Sequence, residues 1–245
     1  GNSCSISTAM SFPWIPPSPH SFDSTFTCRR NGEFRLSCSV RFKDVIGQQQ
    51  LIGNLTEMYR QNRLSHALLF LGREGSGGLS LARAFVQFIV CERNKGKKKE
   101  EAVSLFGDAF EGTNVSSDPE NDSCGECASC RKASDLAHPD IHYSFPSISL
   151  KKDRPTISTD LMAEWRTFVE KQPYGNLYDW LQHIKAENKQ GNINVAECND
   201  IMRKLSLKSF EAGYKFLIMW MPELLGNEGN KLLKLIEEQI GRAHV

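Results

Sequence analysis

The sequence predicts an α/β protein: a parallel β-sheet with helices on both faces. Three observations predict it. Short apolar runs bounded by turn residues recur along the chain, segments with helical apolar spacing separate them, and a glycine-rich turn joins one such run to one such helix. The runs are residues 67–71 (Ala-Leu-Leu-Phe-Leu), 141–145 (Ile-His-Tyr-Ser-Phe) and 216–221 (Phe-Leu-Ile-Met-Trp-Met). The first and third lack the polar alternation of a strand with one wet face, as expected where both faces are covered. Strands alternating with helices imply parallel pairing through crossover helices.

In chain order, patterned sequence begins at Val40. Residues 1–39 are rich in Ser, Pro and Cys without either period and are expected to be a non-native or disordered extension, the natural start lying near Val40. Across 45–62, Leu51, Ile52, Leu55, Met58 and Tyr59 recur at helical spacing, predicting an amphipathic helix. Arg63-Leu64-Ser65-His66 connects it to the first strand, which ends at Gly72. The turn Gly72-Arg73-Glu74-Gly75-Ser76-Gly77-Gly78 leads into a helix over 79–90 carrying Leu81, Phe85, Phe88 and Ile89. Residues 92–123 are polar and charged, including Lys97-Lys98-Lys99, and read as a surface insertion. Residues 151–194 hold Trp165, Phe168, Tyr174, Tyr178 and Trp180, too aromatic for a linker, and are expected to form helices. A helix over 195–207, the third strand and a closing helix over 227–238 complete the pattern. Residues 239–245 (Gln-Ile-Gly-Arg-Ala-His-Val) read as the translation of a common sequencing adapter, so the natural sequence is expected to be cut at Glu238.

Composition narrows the function classes. Over 245 residues the net charge is +1, so no overall field draws the chain to nucleic acid or a membrane surface. No stretch of 18 apolar residues predicts a membrane-spanning helix, and the first residues lack the basic start and apolar core of a secretory signal. Of eight cysteines, three fall in the first 39 residues, Cys198 stands alone as an expected core thiol, and Cys91, Cys124, Cys127 and Cys130 have metal-site spacing. This usage suits the cytoplasm better than an oxidising compartment.

The glycine turn has the spacing of a phosphate-binding loop, G-x-x-x-x-G-K-[ST], with Gly72 and Gly77 in place. In that motif backbone N–H groups surround the phosphates, the lysine bridges them and the hydroxyl holds Mg²⁺. Here Gly78 stands at the lysine position and Leu79 at the hydroxyl position, and Ser80 comes one residue too late. A hydrolytic P-loop protein also carries Asp-Glu at the end of the strand represented by 216–221, where this chain has Trp220 and Met221, while Glu223 reads as a solvent-facing loop residue. Cleavage of ATP is therefore not expected, and Gly72, Gly75, Gly77 and Gly78 read as a vestigial loop kept for its geometry. Weak nucleotide binding through backbone N–H groups stays open.

Cys124-x-x-Cys127-x-x-Cys130 with Cys91 at the end of the preceding helix supplies four thiolates for a closed tetrahedral Zn²⁺ site, structural rather than catalytic. Iron–sulfur ligation and a redox pair are the alternatives. The spacing and the third cysteine fit them less well. His66, His138 and His142 lack metal spacing with this set.

Together, Phe42-Lys43-Asp44-Val45-Ile46-Gly47-Gln48, the stretch from Arg63 to Gly72, the four cysteines, His138-Pro139-Asp140 and the stretch from Asn230 to Glu238 resemble the P-loop (AAA+) subunits of the bacterial DNA polymerase III clamp loader, over about residues 40–238. Within that family the altered loop sides with the delta-prime branch rather than the ATPase subunits gamma and tau. Trp220-Met221-Pro222-Glu223 and the aromatic insertion look like its Bacteroidetes form. The resemblance implies an AAA+ core over 40–238 with an inserted Cys₄ zinc module at 91–130. It implies no catalysis by the chain itself and a fixed place in a heteropentameric ring with gamma/tau and delta. That ring loads the sliding clamp on primed DNA. The lid and collar domains, and the Ser-Arg-Cys arginine that delta-prime offers a neighbour's ATP, would lie beyond Glu238. Two rivals are an active gamma/tau-type ATPase and a zinc-containing nucleic-acid-binding module using Lys97-Lys98-Lys99 with Arg131-Lys132.

Overall fold

The computed structural model describes residues 9–11, 28–30, 33–35, 40–95, 122–148, 154–230 and 232. From the first 39 residues come three short strands, β1 (Ala9–Ser11), β2 (Cys28–Arg30) and β3 (Glu33–Arg35), the last two paired antiparallel. Lys97-Lys98-Lys99, most of the predicted closing helix and residues 239–245 lie outside the described residues.

Helix α1 spans Gln49–Arg60 and buries Ile52, Leu55 and Tyr59, the stripe the periodicity predicts. It starts later than residue 45 because Gly47 (φ 72°) and Gln48 (φ 62°) are left-handed, a conformation that cannot continue a right-handed helix. Before them, Phe42–Asp44 make a 3₁₀ turn that seats Phe42 against Phe88, ring centroids 5.4 Å apart.

Strand β4 (Leu69–Leu71) ends at the glycine turn, and α2 (Gly78–Val90) leaves it. Leu81, Ala84, Phe85, Phe88 and Ile89 of α2 pack with α1, while Val86 and Val90 face a second core. A helix apolar nearly all round belongs between two packed layers, and α2 holds that place. Helix α3 (Ala128–Ser134) follows the cysteine cluster and packs on α2.

The sheet proper is β5 (Ile141–Ser144) beside β6 (Phe216–Met219), parallel, with Ile141 opposite Phe216 and Ser144 opposite Met219. Successive side chains of a strand point to opposite faces. On β6, Ile218 enters the core shared with α2, whereas Leu217 and Met219 pack with Cys198 and Ile201 of α6 (Val195–Ser206). The helices therefore cover both faces, and Cys198 is the buried core thiol the sequence predicts.

Residues 154–194 form α4 (Met162–Lys171) and α5 (Leu177–His183) and build the second core. Trp165 is stacked on Phe145 at 4.1 Å and lies 5.2 Å from each of Trp180 and Trp220. The Trp180 indole N–H donates to the Pro146 carbonyl at 2.8 Å, so its polar edge is satisfied inside the apolar cluster. Asn176 caps α5 through the Asp179 N–H, and Asp179 reciprocates on the Asn176 N–H, both at 2.9 Å.

One expectation needs correction. The run 67–71 reads as a strand buried on both faces, yet Leu69 and Leu71 are 49% and 45% exposed. Phe70 turns toward the α1–α2 core, and no described element covers the opposite face. Among the described residues β4 is bonded to β1, Ala9 opposite Leu69 and Ser11 opposite Leu71, and not to the β5–β6 pair. A segment read as an extension thus supplies its ladder partner.

Candidate functional site

The glycine turn keeps the geometry of its motif. Gly75 (φ 76°) and Gly77 (φ 84°) take left-handed conformations that a side chain disfavours, and Gly77 caps α2, its carbonyl accepting the Leu81 N–H at 2.9 Å. Gly78 is the first residue of α2, and Leu79 packs against the aromatic core. A glycine and an apolar core residue therefore stand at the cation and hydroxyl positions.

The end of β6 is equally unlike a metal-binding acid pair. Trp220 is only 9% exposed, packed on Trp165 and 5.9 Å from Phe168, and its backbone N–H donates to the Ser144 carbonyl at 2.8 Å. An ionised carboxylate in this apolar setting would carry a large desolvation cost. Met221, two residues past β6, has φ 58°, and Glu223 is exposed, as predicted.

Sequence reasoning missed what lies over the turn. Residues 172–175, between α4 and α5, sit on it: a Cβ built on Gly77 would lie 2.7 Å from Cε1 and 3.3 Å from Cδ1 of Tyr174. The Ile46 N–H donates to the Tyr174 hydroxyl at 2.9 Å, and the Ser80 hydroxyl donates to the Pro173 carbonyl at 2.8 Å. Burial pushes the Tyr174 phenol above its usual range, so the ring is neutral at physiological pH. Pro173-Tyr174-Gly175 is a turn signature legible in the sequence. Its contact partner, about a hundred residues away, is not.

The four cysteines do come together. Cys91 follows α2, Cys124 and Cys127 lead into α3, and Cys130 lies in its first turn, with all four sulfurs within 4.8 Å of one another. Cys91 and Cys124 are 3.6 Å apart and Cys124 and Cys130 3.9 Å. Zn–S bonds of about 2.3 Å in a tetrahedron place sulfurs about 3.8 Å apart, close to the separation of these two pairs. Backbone N–H groups of Cys124, Cys127 and Cys130 point at the sulfurs of Cys91, Cys124 and Cys127, each at 3.4 Å. The Cys130 thiol, donating to Cys91, lowers Cys91 to about 4, while that same bond and then burial push Cys130 up. The set can hold a metal ion, and among the described residues the four cysteines are its ligand group. His138 and His142 stand apart from it.

His138-Pro139-Asp140 has a structural part. Asp140 is 1% exposed and accepts backbone N–H bonds from Phe210 (2.6 Å), Glu211 (2.6 Å) and Ala212 (2.7 Å), fixing the loop that enters β6. Glu211 also pairs with Lys132 of α3.

A parallel α/β core, a strand–glycine turn–helix unit without its charged residues and a four-cysteine cluster after α2 define the class. The chain belongs to the family described as DNA polymerase III, delta subunit, which it matches over residues 47–105 and 98–243. It is also similar to DNA polymerase III subunit tau of Bacillus subtilis (strain 168), 29% identical over 98 residues, which are 40% of this chain and 13% of that protein. A second relative is DNA polymerase III subunit tau/gamma of Haemophilus influenzae, 32% identical over 90 residues, 37% of this chain and 10% of that protein. The matched stretch is thus a small part of either relative. No solved structure matches. Among the described residues no helix is long and apolar enough to cross a membrane.

Proposed function

We propose that the chain is a non-hydrolysing, delta-prime-type AAA+ subunit of the DNA polymerase III clamp loader. It would work in the cytoplasm through contacts with gamma/tau and delta subunits, and through them with the sliding clamp and primed DNA. The observation that carries the reading is the replacement of both charged halves of a phosphate site: Gly78 and Leu79 at the turn, Trp220 and Met221 at the end of β6. Phosphoryl transfer depends on neutralising charge that develops on the phosphate oxygens, and these side chains offer none.

Zn²⁺ is the ion the four-cysteine set suits best, held by Cys91, Cys124, Cys127 and Cys130. It would supply no reaction step. It would tie the segment before α3 to the end of α2.

The test is a titration of the purified chain with MgATP alongside a phosphate-release assay, and co-purification with tau/gamma and delta subunits. Absence of turnover together with complex formation is expected. Saturable turnover would establish the second reading, an active ATPase, which the tau and tau/gamma relatives favour.

A further inference from the structure

We propose that Tyr174 is a built-in plug of the glycine turn, so that residues 172–175 take the space a polyphosphate would need. The inference rests on the non-hydrolysing reading and adds to it a physical obstruction. Losing a cation and a hydroxyl weakens a phosphate site, yet the backbone N–H groups of the turn and the start of α2 would still attract an anion. Here the helix end of the turn is covered: Gly77 and Ser80 are buried, while residues 72–75 stay exposed.

Three contacts argue that the cover is built. The Tyr174 ring lies so close to Gly77 that even a methyl group there would collide with it, and Gly77 is buried although it sits in a surface turn. The Tyr174 hydroxyl accepts the Ile46 N–H, bridging the segment before α1 to the turn. The Ser80 hydroxyl, 3% exposed in the first turn of α2, is spent on the Pro173 carbonyl, which brings a dipole of the favourable sign to the positive end of the helix. The plug is also held from behind. The Gly175 N–H donates to the Gln172 carbonyl at 3.0 Å, and a Cβ on Gly175 would lie 2.8 Å from Cζ of Phe168, a fully buried member of the aromatic core. The turn between α4 and α5 cannot lift without disturbing that core.

The test uses inorganic tripolyphosphate at low ionic strength as the probe, with the wild type, Tyr174→Ala and Tyr174→Phe. Tyr174→Ala is expected to bind at least tenfold more tightly than the wild type. Tyr174→Phe, which keeps the ring, gains no affinity but exchanges its Ile46 amide proton faster. Should Tyr174→Ala fail to fold, Tyr174→Ser carries the same expectation. Nitration of the wild type gives an independent measure, with Tyr178, 59% exposed, expected to react at least tenfold faster than Tyr174. Equal tripolyphosphate affinity in wild type and the truncated variant, or equal nitration rates, would overturn the plug and leave the non-hydrolysing reading standing. Turnover of MgATP by the wild type would remove that reading instead.

Discussion

Replacing Asp140 by Ala should be among the costliest single changes in the protein. The substitution removes one carboxylate and strands three backbone donors, those of Phe210, Glu211 and Ala212. A hydrogen bond to a charged group contributes about 1.5–3 kcal/mol. The three share one acceptor, and the amides of Phe210 and Glu211 are near enough to the surface to regain water, while Ala212 is buried. The expected loss is therefore about 3–4 kcal/mol rather than the full sum. Asp140→Asn keeps the shape and one acceptor oxygen, so its loss should be about half as large. Urea denaturation followed by circular dichroism at neutral pH gives both values, and amide exchange at residues 210–212 should accelerate in step. A loss below about 1 kcal/mol for Asp140→Ala would mean that the loop holds its shape without the carboxylate, and the reasoning would fail.

Acid should destabilise the protein in a window set by two histidines. Burial lowers the pKa of both His138 and His142 below 6.5, so the folded state keeps them neutral while the unfolded chain takes up protons first. Their contribution is complete above 6.5 and is lost as pH falls through the interval below it. A thermal midpoint that is flat or rises between pH 7 and 5 would contradict this, and exchanging both for Gln should remove the slope. Metal removal is expected to lower the melting temperature, with one equivalent of Zn²⁺ released on chelation. Cys127→Ser should weaken retention, and an unchanged melting curve with no metal released would reject the site. Trp165→Ala empties the centre of the aromatic core and should cost about 3–5 kcal/mol, measured by chemical denaturation. A loss under about 1 kcal/mol would show that the cluster collapses around the gap.

Most of the local architecture was legible in the sequence because it is written in local signals. The stripes on α1 and α6, the apolar run of β6 and the glycine spacing before α2 each declare themselves within a dozen residues. The cysteine cluster was legible for a related reason: three ligands at two-residue spacing leave little freedom, and the fourth, Cys91, is fixed by ending a helix. The late start of α1 was not, since left-handed Gln48 carries no mark in its residue type. The exposure of Leu69 and Leu71 escaped too, because an apolar run states what a strand would bury and not what is available to cover it. Tyr174 and Asp140 escaped for a third reason. Their roles come from contacts about 70 to 130 residues away in sequence, where no periodicity reaches.

The gathering of Trp165, Trp180 and Trp220 into one cluster has an optical consequence. Among the described residues, the layer formed by α1 and the near side of α2 contains Phe42, Tyr59, Phe85 and Phe88 and no indole. With Trp14 changed to Phe, emission excited at the red edge would come from a single half of the molecule. An event that peeled α1 away and left the indoles packed would pass unseen in such a signal, and a mismatch between emission and far-ultraviolet ellipticity would reveal that the two halves let go separately.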